Sequence, residues 1–118
     1  MKVPNLIAVT TVMVAAVACG STKAPVPQAA GPVVEITVAH GTVTPTNATL
    51  TAKVGQPITL RVNSDADDEL QVHSTPDHEF TIAAKPEQEF SFTVDVPGSV
   101  AVELHHVDRT VATIQVQP

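Results

Sequence analysis

From Val33 onward, apolar residues recur at every second position, and this alternation restricts the fold more than any other property of the chain. The runs "VVEITVA", "ATLTAKV", "PITLRVN", "ELQVH", "EFTIA", "QEFSFTVDV", "SVAVELH" and "TVATIQV" are rich in Val, Thr, Ile and Phe. Between them lie "GTVTPTN", "GQ", "SDADD", "STPD", "AKPE" and "PG", which carry turn-forming residues. No window offers a helical stripe. Seven or eight short strands in about 85 residues predict an all-β domain, a Greek-key antiparallel β-sandwich.

The alternation also assigns faces. Ile58, Leu60 and Val62 should point inward, with Thr59 and Arg61 outward. Leu70 and Val72 should be buried while Gln71 and His73 face away. Phe90, Phe92 and Val94 form the bulkiest inward row, and Val100, Val102 and Leu104 face them. With no Trp or Tyr, the core rests on aliphatic residues and three phenylalanines.

The N-terminus obeys different rules. Lys2 is followed by a mostly apolar run from Leu6 to Ala18, the length of a signal-peptide core and short for a bilayer span. It ends in "AVAC", which looks like a bacterial lipobox, although Ala16 stands where such motifs usually carry Leu or Val. The chain's single cysteine, Cys19, occupies the position that becomes acylated, so residues 1–18 are expected to be a lipoprotein signal peptide. Palmitate or a similar lipid on Cys19 would hold the protein to the cell membrane on its extracytoplasmic face. Residues 19–32 are small and Pro-rich and read as a flexible tether, leaving residues 33–118 as the folded domain.

Loss of residues 1–18 leaves five Lys and Arg against twelve Asp and Glu, a net charge of −7. An acidic surface without a basic run argues against nucleic acid and against docking on anionic lipid. A monomer is expected. Hydrolytic catalysis lacks its signatures: there is no Gly-x-Ser-x-Gly elbow, and the five glycines form no phosphate-cradling loop. The run Asp65, Asp67, Asp68, Glu69 lacks the spacing of a calcium loop and reads as a solvated turn.

The histidines carry the remaining chemistry. His73, His78, His105 and His106, with Asp77, Glu79 and Asp108 nearby, offer imidazoles and carboxylates, a donor set that suits Cu(II) or Zn(II). His40, on the first strand, reads as an exposed polar residue. The stretches "VGQPITLRVNSDADDELQVH" and "FTVDVPGSVAVELH", with a last strand "VATIQV", resemble the cupredoxin-like domains of bacterial lipoproteins, relatives of plastocyanin and azurin. The likeness spans Val33 to Val116.

The resemblance implies that His73 stands where cupredoxins keep their first ligand histidine, and Leu104 about where a blue-copper protein has its cysteine. His105 and His106 open the loop that would supply the second histidine, but "VDRTVA" holds no methionine, and Gln71 replaces a histidine common in such domains. A type 1 centre needs a thiolate, so the resemblance cannot extend to one. It does imply that His73 and the His105–His106 pair converge at one end, with His78 in reach. Of the pair only one should coordinate; strand parity favours His105, and a turn after Leu104 would reverse that choice. The expected function is a non-enzymatic lipoprotein binding Cu(II) for sequestration or delivery. The alternative is a metal-free sandwich acting as an interaction or cell-envelope structural module.

Overall fold

The computed structural model describes residues 30–118; Cys19, the expected signal peptide and most of the expected tether lie outside them. Nine strands and no helix occur among the described residues. They are β1 (Val33–Ala39), β2 (Thr42–Thr44), β3 (Ala48–Lys53), β4 (Ile58–Ser64) and β5 (Asp68–His73), followed by β6 (His78–Ile82), β7 (Gln88–Phe92), β8 (Gly98–Leu104) and β9 (Arg109–Gln117). Two sheets face each other, one ordered β2-β1-β4-β7 and the other β3-β9-β8-β5-β6.

The period-two pattern explains why these segments become strands with one dry face. In β4 the burial alternates with Ile58, Leu60 and Val62 fully buried and Arg61 exposed. Leu70 and Val72 of β5 and Val100, Val102 and Leu104 of β8 are likewise buried, as the alternation predicts. Phe92 and Val94 are buried, whereas Phe90 is only half-buried and packs on the core with Phe80. Among the described residues the core runs from Val34 to Val116.

Two pairings depart from the expected antiparallel arrangement. β1 runs parallel to β4, with Ile36 opposite Val62, and β3 runs parallel to β9, with Leu50 opposite Ile114. The reason lies in the connections. β2 and β3 both lead the chain back toward the pole where β1 began, so β4 re-enters beside β1 in the same direction. β9 starts at the pole where β3 starts, and the same consequence follows. β2 itself sits in a segment whose composition reads as a break. His40 (φ 53) and Gly41 (φ 72) close a two-residue hairpin loop, and the His40 amide donates to Asp65 Oδ2 at 2.8 Å.

The sandwich therefore has two poles. The chain enters at one, where Gly31 N donates to Pro57 O at 2.9 Å and Thr59 N to Pro32 O at 3.1 Å. The ends of β3, β5, β7 and β9 gather there, tied by Asp95 N to Thr75 O and Val54 N to Gln117 O. The far pole holds the starts of β3, β5, β7 and β9, tied by Asn47 N to Thr110 O and Ser64 N to Lys85 O.

Candidate metal site

β5 and β8 pair antiparallel, with Gln71 opposite Glu103 and His73 opposite Ala101. Alternation turns Glu69, Gln71 and His73 of β5 to the outward face, together with Ala101 and Glu103 of β8. The small side chain of Ala101 leaves His73 free to lean diagonally, and its Nε2 lies 2.9 Å from Glu103 Oε2. Diagonal neighbours on one sheet face are within reach of long side chains. An ionised carboxylate only accepts, so the imidazole donates through Nε2–H; in the neutral ring the free lone pair is then on Nδ1.

The expected convergence of His73 with His105 and His106 does not occur. Leu104 pairs with Leu70, and the next amide, His105 N, donates to Glu69 O at 2.9 Å. Glu69 is four residues from His73 along β5, roughly 13 Å of extended chain. His73 therefore ends β5 at the entry pole, whereas His105 and His106 stand at the far pole. Metal–nitrogen bonds of about 2 Å cannot join residues so placed without refolding the ladder. The cause is the antiparallel register: the end of β8 meets the start of β5, not its end.

At the far pole the turn after Leu104 is held by Asp68. This carboxylate is 3% exposed, and its Oδ1 accepts from Glu69 N at 2.7 Å and from His106 N at 2.8 Å. His106 Nδ1 lies 3.3 Å from the Asp67 carbonyl and 3.9 Å from Asp68 Oδ1. The His105 and His106 rings are 5.8 Å apart and tilted by 58°. The two histidines thus sit on a hydrogen-bonded clasp between β4–β5 and β8–β9.

His78 has a third environment. Its Nε2 lies 3.2 Å from the Thr93 carbonyl, to which it can only donate. Its ring stacks on Phe80 at 6.2 Å with an interplanar angle of 1° and lies 5.3 Å from Phe92. Phe80 and Phe90 follow at 5.0 Å, so His78 belongs to an aromatic seam where β6 and β7 approach across the sandwich. His40 stands in the β1–β2 turn at the far pole, where its amide donates to Asp65 Oδ2 in the β4–β5 loop.

The outward faces of the two sheets differ in charge. On β4, Arg61 donates to Glu35 Oε1 at 3.2 Å and Glu89 Oε2 at 3.3 Å, from the strands on either side. Those hydrogen bonds, that to Glu35 first, hold the guanidinium pKa above its usual value. A cavity of about 410 Å³ opens over this network. Over β5 and β6 a second hollow of about 250 Å³ is lined by Gln71, Val72, His73, Asp77, His78 and Glu79. No Lys or Arg occurs in β5, β6 or β8.

A type 1 copper centre does not fit this donor set. The described residues contain no sulfur, and the β8–β9 turn supplies imidazole and carboxylate alone. Among the described residues no three His, Cys, Asp or Glu side chains are already gathered around one point. What the surface can offer a cation is nitrogen and oxygen.

No protein-family model and no curated protein sequence matches the chain. Solved structures do. A dithionite-reduced auracyanin from the photosynthetic bacterium Roseiflexus castenholzii superposes with a TM-score of 0.53 at 11% identity, covering 75% of this chain and 99% of that one. A Cu(I) form of an amicyanin variant gives 0.48 at 17% identity, covering 72% and 82%. At 11% identity the auracyanin likeness concerns the fold alone, which is all-β and cupredoxin-like.

Proposed function

We propose that the protein is an extracytoplasmic, non-enzymatic lipoprotein that holds Cu(II) on a cupredoxin-like frame through nitrogen and oxygen ligands. Its role would be sequestration or delivery of copper, not electron transfer at a blue-copper centre. The observation that carries this reading is the donor chemistry: outward imidazoles beside carboxylates on a frame with no sulfur among the described residues. Acylation of Cys19 would anchor the domain, with the Pro-rich segment before Val33 as spacer. Palmitate labelling with membrane fractionation checks the anchor; Cys19→Ser should abolish the label and release the protein from the membrane fraction.

The copper reading is tested by titrating Cu(II) and Zn(II) into residues 30–118 by calorimetry and electron paramagnetic resonance. The expected result is a nitrogen–oxygen Cu(II) spectrum with a Kd tighter than about 10 μM, or −7 kcal/mol. Weaker binding would overturn it. The second reading, a metal-free interaction module, is favoured by the Asp68 clasp, which commits the backbone of the β8–β9 turn to hydrogen bonds within the domain.

A further inference from the structure

We infer that the open edge of β6 takes an extended segment of a partner protein, alternating apolar and basic residues, as an added strand. The assignment requires no bound copper. Four strands end the two sheets: β2 and β3 on one side of the sandwich, β6 and β7 on the other. Edge strands are ordinarily blunted by brevity, by Lys or by Pro. β2 has three residues and β3 ends in Lys53, whereas β6, "HEFTI", has five residues without Lys, Arg or Pro. β7 is tied at both ends. Gln88 Nε2 donates to Ala83 O and Lys85 O at its start, and the His78 ring donates to Thr93 O just past its last residue.

The register states which backbone groups of β6 are free. In a strand paired on both sides, successive residues bond alternately to one neighbour and the other. His105 N donates to Glu69 O, so Glu69, Gln71 and His73 of β5 bond to β8, and Leu70 and Val72 bond to β6. Their partners Phe80 and His78 therefore direct N–H and C=O to β5. Glu79 and Thr81 direct theirs outward, and among the described residues no hydrogen bond within the domain reaches them.

The side chains beside this edge specify what fits there. Phe80 and Phe90 are half-buried with their rings 5.0 Å apart, and a hollow of about 350 Å³ bordered by Thr81, Ala83, Glu89 and Phe90 opens between β6 and β7. A strand laid along β6 turns every second side chain toward these rings, which favours apolar residues there. The remaining side chains stand on the outward face beside Glu79 and Thr81. On that face Asp77 and Glu79 meet no Lys or Arg from β5, β6 or β8, so basic residues complement them. Lys85, in the β6–β7 loop, borders the other end of the hollow, so the basic residues belong beside Glu79. A second copy of this chain is a poorer occupant, because it brings its own Glu79 and a net negative charge to the same edge.

The test uses the full chain in detergent micelles and a short fluorescein-labelled peptide alternating valine and lysine. Fluorescence polarisation should show saturable binding, and hydrogen exchange followed by NMR should slow at the Glu79 and Thr81 amides. A valine–glutamate peptide should bind about tenfold more weakly. The valine–lysine peptide N-methylated at every residue lacks the donors and should not bind. Thr81→Pro removes one outward N–H where an edge strand tolerates proline, and should weaken binding about tenfold with the circular dichroism spectrum unchanged. Glu79→Lys should reverse the preference toward the valine–glutamate peptide. Equal binding of the N-methylated peptide, or slowed exchange only outside β6, would overturn the assignment without altering the protein at all. Protection of Glu79 and Thr81 that grows with protein concentration in the absence of peptide would give the edge to a second copy and overturn the partner.

Discussion

At the scale of single residues, Asp68 shows how a polar group can define a region without serving a ligand. It is the buried carboxylate at the far pole, and its Oδ1 receives two backbone amides, from Glu69 and His106. Removing the acceptor leaves two donors to find water at the edge of a packed sheet. Asp68→Ala should therefore lower stability by about 1–3 kcal/mol, measured by urea unfolding of residues 30–118. Gln88 plays a comparable part at the β6–β7 connection, where its amide donates to Ala83 O and Lys85 O and accepts from Ala83 N.

At the scale of elements, the hairpin between β1 and β2 depends on backbone angles that the side chains must permit. Gly41 at φ 72 has no heavy atom within 4 Å of where a Cβ would stand, so its constraint is conformational and not steric crowding by neighbours. Gly41→Val should destabilise the domain by about 1–2 kcal/mol, read as a lower urea midpoint with an unchanged slope. Gly41→Asn should cost less, because asparagine tolerates the left-handed region. The same hairpin explains why β2 is hard to read in the sequence. It has three residues, and "TVT" lies inside a segment otherwise filled with Gly, Pro and Asn.

Longer strands were legible because burial on one face forces strict alternation, as in "ITLRVNS" and "GSVAVEL". Alternation states which way a side chain points, and it placed Gln71 and His73 outward correctly. It does not state which residue lies opposite, because register depends on loop lengths and on packing across the whole sheet. That is why His73 and His105 could be expected at one end although β5 and β8 bring their ends together in the opposite sense. Glu103 as the partner of His73 becomes visible only once Ala101 is known to face His73. The parallel pairs β1–β4 and β3–β9 were hidden for the same reason.

At the scale of the whole molecule, both sheets contribute to one core, and a small domain built around one core is expected to unfold as a unit, so a ligand on one face acts on all of it. A cation that binds the folded domain and not the open chain stabilises by mass action, about 2.7 kcal/mol at a free concentration of one hundred times Kd. For a domain of this size each kcal/mol shifts the melting temperature by roughly 4–8 °C, so saturating Cu(II) should raise it by about 10–20 °C. Part of that gain is lost to the unfolded chain, in which the same histidines become flexible ligands, so the observed shift should fall at the lower end. The comparison that matters is between ions. Zn(II), offered the same nitrogen and oxygen donors, should give a smaller rise at the same concentration, because Cu(II) stands above it in the order of divalent affinities. No rise with either ion would overturn the copper reading.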